Sequence, residues 1–265
     1  MSYKEQQTLD REKIAKSFGL ASQSYDVSAR LQRFSGKHLM PWLPKQNDLT
    51  VLDLGAGTGF FTDLLASSYT QVIGLDFSKD MLSFAQATRD KSIHWIEADA
   101  HKIPLQDNSI DFIYSNLVIQ WCEPLDVAIN EMLRVLKPGG LIIFTTLMDG
   151  TLHELKSSWK QVDDDQHVID FKTEEELAQL FNHDGARVIE HKCQDIVLEY
   201  QNVIHLAREL KGLGANHLPQ KRNRGLSGKD KWFAMIKHYQ DFLEPSGIYP
   251  ATYRLYSGLV VKVNS

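Results

Sequence analysis

A doubly wound α/β sheet of mostly parallel strands is the fold this sequence predicts, and three observations carry it. Strand-like and helical runs alternate from Val51 onward, with strands expected at 50–54, 71–76, 93–97, 110–115 and 140–147 and helices near 60–67, 79–89 and 124–136. A glycine turn, Gly55-Ala56-Gly57-Thr58-Gly59, leaves the first strand and opens the first helix. The second strand, Val72-Ile73-Gly74-Leu75, ends on the acidic Asp76. In this order the pieces hold a nucleoside and its ribose at the carboxyl end of a parallel sheet with right-handed crossovers.

Taken along the chain, the pattern is helical from Leu9 to about Leu43, with apolar Leu9, Ile14, Phe18, Ala21, Ala29, Leu31, Leu39 and Met40, and Pro41 and Pro44 punctuate its end. After the alternating units, Lys137-Pro138-Gly139-Gly140 is expected to close a helix and turn into the fifth strand. Helices follow at 152–161 and 173–182, an extended segment at 186–199, and further helices at 201–211 and 228–243. A last strand over Thr252–Val261 alternates in character and is expected to pair antiparallel at the sheet edge.

Composition removes several classes of protein. At 265 residues and 43% hydrophobic, the chain can bury a sizeable core as one domain with appendages. A formal net charge of −5 argues against a nucleic-acid binder. Cys122 and Cys193 lie far apart without C-x-x-C spacing, so no zinc site, disulfide framework or other metal is expected. The first residues are polar, and no apolar run approaches the roughly 18 residues of a membrane span, so a soluble cytoplasmic setting is expected. Charge is uneven late in the chain. Residues 161–200 hold eleven acids against three bases, whereas 201–240 hold eight bases against two acids. That basic stretch is either a solvated face or a docking face for an acidic partner.

The G-x-G-x-G spacing of the turn, rather than G-x-G-x-x-G, points to S-adenosylmethionine instead of a dinucleotide. Without Cβ atoms, Gly55, Gly57 and Gly59 let the backbone approach a ligand closely. N–H groups at the start of the following helix are expected to face a methionine carboxylate. The Asp76 carboxylate suits the two ribose hydroxyls. In Ile96-Glu97-Ala98-Asp99-Ala100, the Asp99 carboxylate suits an adenine amino group and the Ala100 N–H a ring nitrogen. His101 is expected to be solvent-exposed and Asp107 to lie in a loop. Ser115 and Asn116, at the tip of the fourth strand, suit an ammonium or a substrate, although Asn116 alternatively caps the next helix. Asp53, Ala56, Phe77 and Met81 complete the expected cofactor set.

Over most of residues 50–147 these features resemble class I S-adenosylmethionine-dependent methyltransferases, which implies a Rossmann-like, seven-stranded sheet with an antiparallel last strand. Further segments resemble the malonyl-acyl-carrier-protein O-methyltransferases of biotin synthesis. They are Phe18-Gly19-Leu20-Ala21-Ser22-Gln23-Ser24-Tyr25-Asp26 with Ala29 and Leu31-Gln32 following, Ser115-Asn116-Leu117-Val118-Ile119-Gln120-Trp121-Cys122, Leu210-Lys211-Gly212-Leu213-Gly214-Ala215-Asn216 and Thr252-Tyr253-Arg254-Leu255-Tyr256-Ser257-Gly258. The resemblance implies lid helices over 1–48, a cofactor-binding core over 49–147, and last strands with substrate-side helices over 148–265.

It also implies that Tyr25 reaches the cofactor or the substrate carboxylate, that Gln120 and Trp121 line the acceptor side, that Phe171 walls the pocket and that Lys211 pairs with the malonyl carboxylate. Each has a structural alternative: Tyr25 and Trp121 as core aromatics, Phe171 as a hydrophobic staple, Lys211 as a charge favourable to its helix dipole. The implied partner is malonyl-acyl carrier protein, docking on basic residues of 201–240 such as Lys221, Arg222 and Arg224. A carboxylate attacking a sulfonium methyl is already ionised, so no catalytic base is expected. Three rival readings are a methyltransferase acting on another small acid or a quinone precursor, a respiratory-complex assembly factor of the same lineage, and a cofactor-binding module without catalysis.

Overall fold

A computed structural model describes residues 29–183, 185–212 and 228–263. Tyr25, most of the N-terminal helical pattern, and Lys221, Arg222 and Arg224 lie outside the described residues. In chain order the elements are α1 (Arg30–Leu39), β1 (Thr50–Leu54), α2 (Phe60–Ala66), β2 (Gln71–Asp76), α3 (Lys79–Thr88), β3 (His94–Glu97), β4 (Ile110–Asn116), α4 (Leu125–Val135) and β5 (Leu136–Leu147). There follow α5 (His153–Lys160), α6 (Glu174–Leu180), β6 (Ala186–Tyr200), α7 (Val203–Gly212), α8 (Gly228–Tyr239) and β7 (Tyr249–Lys262).

The strands form one sheet in the order β3-β2-β1-β4-β5-β7-β6. The first five are parallel, and β7 runs antiparallel to both of its neighbours. The last strand is therefore not at the edge. It is threaded between β5 and β6, and β6 forms the rim. Sequence alternation reports that one face of a strand is more exposed than the other, but it carries no neighbour order.

Local chemistry accounts for the elements. The central strands are buried on both faces and read as nearly continuous apolar runs. Leu125, Ala128, Ile129, Met132 and Leu133 form the apolar stripe of α4. Thr173 and Glu176 close a reciprocal capping box on α6. The Lys137–Gly140 segment differs from expectation. Strand β5 already begins at Leu136, and the four residues bulge because Ile110 pairs with Leu136 while Phe112 pairs with Leu141. The Lys137 ammonium, 2.8 Å from the Asp111 carboxylate, pins the bulge.

Apolar clusters cover both faces of the sheet, one built on α4 and α6 and the other on α1 and α2. A third lies beyond the sheet proper. Strand β7 pairs with β5 only from Leu255 to Val261, whereas Tyr249–Arg254 pair with β6 alone. This two-stranded arm carries Ala251 and Tyr253 into a cluster shared with Leu31 of α1, Leu155 of α5, Leu206 of α7 and Met235 of α8. The helices expected on the substrate side are thus held by one arm of the last two strands. No helix among the described residues is long and apolar enough to cross a membrane.

Candidate active site

The site lies at the carboxyl ends of β1, β2, β3 and β4. The Gly55 and Ala56 N–H groups donate to the Leu75 carbonyl over 2.8 and 2.9 Å, which pins the glycine turn to β2. Gly57 N–H donates to Asp76 Oδ2 and Ser78 N–H to Oδ1, each over 2.8 Å. Burial pushes the Asp76 carboxyl above its usual range, opposed by backbone N–H groups of Ser78, Gly57 and Phe77.

The three turn glycines all have positive φ, yet they serve different purposes. A Cβ on Gly55 would stand 2.2 Å from Val118, and one on Gly59 2.5 Å from Trp95. A Cβ on Gly57 would meet nothing within 4 Å. Packing against Val118 and Trp95 demands the outer two, whereas at the middle one a Cβ has room.

Two cavities flank the turn and share Gly55, Gly57 and Asn116 as a common wall. The larger encloses about 860 Å³ including its open mouth. It brings together Asp76, Phe77, Met81, Asp99, Ala100 and Trp121. The smaller, about 460 Å³, brings Asp53, Ala56 and Gly57 together with Gln32, Arg33 and Tyr114. Among the described residues, buried Gln32 Oε1 and Tyr114 Oη lack a hydrogen-bond partner. Asp53 accepts from Thr62 Oγ1 over 2.5 Å; burial, with the Asp76 charge adding, pushes its carboxyl up to about 7.

Residues 52–144 match the model of the methyltransferase domain family. The BH2331 protein of Bacillus halodurans shares the fold, with a TM-score of 0.64 at 16% identity over 86% of this chain and 99% of that one. The biotin biosynthesis bifunctional protein BioHC of Cellvibrio japonicus is 39% identical over 94% of this chain, which spans 49% of that longer protein. The malonyl-[acyl-carrier protein] O-methyltransferase of Yersinia pestis is 35% identical over 96% of this chain and 92% of its own length. The chain belongs to the malonyl-acyl-carrier-protein O-methyltransferase family.

The methyl donor of this O-methyltransferase is S-adenosylmethionine, and the donor set fits it. The larger cavity offers the Asp76 and Asp99 carboxylates and the apolar Phe77 and Met81 for a nucleoside. The smaller offers acceptors, Gln32 Oε1 and Asp53, for an ammonium group. Gly57 lines both cavities and presents no side chain to either.

Not every expected residue of this O-methyltransferase reaches the cavities. Ser115 is fully buried, and its hydroxyl donates to the Leu54 carbonyl, so it supports the floor from behind. Asn116 does border both cavities, but its amide is engaged: Oδ1 accepts from Ser35 and Thr145, and Nδ2 donates to the Gln32 carbonyl. It is not the cap of the following turn, where Val118 holds that position. Gln120 donates to the Leu117 carbonyl over 2.8 Å and accepts from Thr146 Oγ1 over 3.1 Å, so it braces the loop that presents Trp121. Leu117 on that loop is held at φ 56, a conformation unfavourable for leucine. Phe171 packs with the third apolar cluster and lines neither cavity, and Lys211 is exposed on the last turn of α7.

His101 corrects an expectation in the other direction. It lines the larger cavity with a side chain only 9% exposed. Asp163, Asp165 and His167 bring ligand-type atoms within 4.8 Å of one another, but the Lys231 ammonium stands 2.7 Å from Asp163 and 3.4 Å from Asp165. Sequence reasoning gave no site role to Gln32, although Leu31-Gln32 is among the residues that carry the resemblance, and it missed Arg33; both line the smaller cavity.

Proposed function

We propose that this chain transfers the methyl group of S-adenosylmethionine to the free carboxylate of a malonyl thioester on acyl carrier protein, at the opening of pimeloyl formation in biotin synthesis. The observation that carries this reading is similarity along 96% of the chain to the Yersinia pestis enzyme. A cytoplasmic setting belongs to the same proposal.

When bound, the cofactor supplies a methyl group activated by sulfonium. The chain's own part is binding, orientation and exclusion of water. Asp76 and Asp99 hold the nucleoside, with Asp76 already fixed by two backbone N–H groups. Asp53 and Gln32 face the ammonium. Trp121 is proposed for the acceptor side on the family resemblance; with Leu117 and Val118 it adds an apolar wall to the cavity that Asp76 and Asp99 also line. That carboxylate needs no base, and the reading assigns none.

Tyr25, Phe171 and Lys211 are proposed for the substrate side on the family resemblance. The basic docking face rests on Arg208, Lys211, Lys229 and Lys237, which are exposed, together with the bases of 213–227. Lys231 is already engaged with Asp163 and Asp165 and contributes less.

The test is transfer of labelled methyl from S-adenosylmethionine to malonyl-acyl carrier protein, malonyl-coenzyme A and free malonate. The expected product is a base-labile methyl ester, formed fastest on the carrier protein. A base-stable product would overturn O-methylation, and equal rates on all three acceptors would overturn the carrier-protein assignment.

A further inference from the structure

His101 stands behind Asp99 with three contacts. Its Nδ1 lies 2.6 Å from Asp99 Oδ1, and its backbone N–H donates to the same oxygen over 2.9 Å. Its Nε2 lies 3.1 Å from the carbonyl oxygen of Pro124. An ionised carboxylate and a carbonyl only accept, so a ring nitrogen satisfies either neighbour by donating, and a neutral imidazole, with one N–H, serves one of the two at a time. Asp99 belongs to the wall of the larger cavity. Pro124 is the N-cap residue of α4, three positions after Trp121 on the acceptor-side loop.

We infer that His101 is a positioning residue that orients the Asp99 carboxylate toward the adenine amino group and ties this wall to the loop presenting Trp121. The cofactor half of the inference needs only the methyl donor; the acceptor half rests on the proposed function. Removing the imidazole takes the side-chain contact from Asp99 Oδ1, leaving the backbone N–H of residue 101, and takes the Nε2 contact from the Pro124 carbonyl.

The two contacts are separable by substitution. An asparagine amide nitrogen falls near the position of Nδ1, and a glutamine amide nitrogen near that of Nε2. Binding of S-adenosylhomocysteine by calorimetry, melting temperature, and the acceptor KM in the methyl-transfer assay are measured for His101→Ala, His101→Asn and His101→Gln. His101→Ala is expected to weaken S-adenosylhomocysteine binding by about tenfold, the scale of one charge-assisted hydrogen bond. His101→Asn is expected to stay within about threefold in cofactor affinity and to raise the acceptor KM, and His101→Gln to do the reverse. A lowered melting temperature with unchanged cofactor affinity in all three variants would reduce His101 to a structural role and overturn the inference. So would identical behaviour of the Asn and Gln variants in both readouts. Absence of turnover in the unsubstituted protein would count against the acceptor alone, and the S-adenosylhomocysteine series would still decide the cofactor half.

Discussion

Ser35 on α1 donates to Asn116 Oδ1 at the tip of β4 over 2.7 Å, and through that bond the first described helix is fastened to the wall between the two cavities. Asn116 has a second acceptor duty toward Thr145 and donates to the Gln32 carbonyl. One amide thus joins α1, β4 and β5. Asn116→Ala is expected to cost about 2–3 kcal/mol, because it leaves partly buried donors and an acceptor unmatched. Urea unfolding reads the stability. Loosened α1 also displaces Gln32 and Arg33, so S-adenosylhomocysteine affinity falls in the same variant.

The turn glycines separate folding from binding. Gly57→Ala has room for its methyl, and its cost is confined to a left-handed backbone, about 1 kcal/mol. It is expected to fold with nearly unchanged melting temperature and to lose at least about tenfold in cofactor affinity, because the methyl enters the shared wall. Gly59→Ala drives its methyl to 2.5 Å from Trp95 and is expected to lower the melting temperature as well. Equal melting losses for both would contradict the division of roles.

Asp53 makes the ligand-free protein sensitive to pH. Its carboxyl is pushed up to about 7 in the fold. Between the unfolded value, about 3.9, and that point the folded state holds a proton that the unfolded state releases, so stability falls as pH rises through this window. Above the window the full penalty remains, an upper bound of a few kcal/mol. Asp53→Asn keeps an acceptor for Thr62 and is expected to raise the melting temperature at pH 8 while flattening the slope between pH 4 and 7. Cofactor affinity moves oppositely in the unsubstituted protein. An ammonium group favours ionised Asp53, so binding tightens as pH rises toward and beyond 7.

Glu154 of α5 is buried, and its carboxylate accepts from Thr252 N–H over 3.0 and 3.1 Å and from Thr252 Oγ1 over 2.5 Å. Glu154→Ala strands both donors of Thr252 at the base of the β6–β7 arm. A loss of about 3 kcal/mol is expected, which lowers the melting temperature by roughly 6–12 °C in a chain of this size. Differential scanning calorimetry measures it. Glu154→Gln, which preserves two acceptor positions on one oxygen, is expected to recover most of the loss.

Reversal of Lys229 and Lys237 to glutamate tests the docking face. The expected effect is a severalfold rise in KM for the carrier-protein substrate, diminished by added salt, with little change for malonyl-coenzyme A. Equal effects on the two acceptors would remove α8 from the docking face.

The cofactor half of this molecule was readable because its signals are local. Val51–Gly59 and Val72–Asp76 each fix a strand end within a few residues, and Asp76, Met81, Asp99 and Ala100 line one cavity. Properties set across the chain were hidden. The burial of His101 depends on the Pro124 carbonyl 23 residues away. The inward turn of Ser115 depends on the Leu54 carbonyl 61 residues away. Strand order and the length of the β6–β7 arm depend on pairing between segments whose own patterns say only that they are extended. Gln32 and Arg33 received no site role because a polar face on an amphipathic helix looks the same whether it meets water or a ligand.

The threading of β7 between β5 and β6 gives the chain a timetable. Residues 186–200 leave the ribosome well before residues 249–262, so the rim strand is made while its one sheet neighbour among the described residues does not yet exist. Until β7 arrives, the apolar edge of β5 and the whole of β6 stand open, and the helices between them have no arm to rest on. A single late strand then completes the sheet and the substrate-side cluster together.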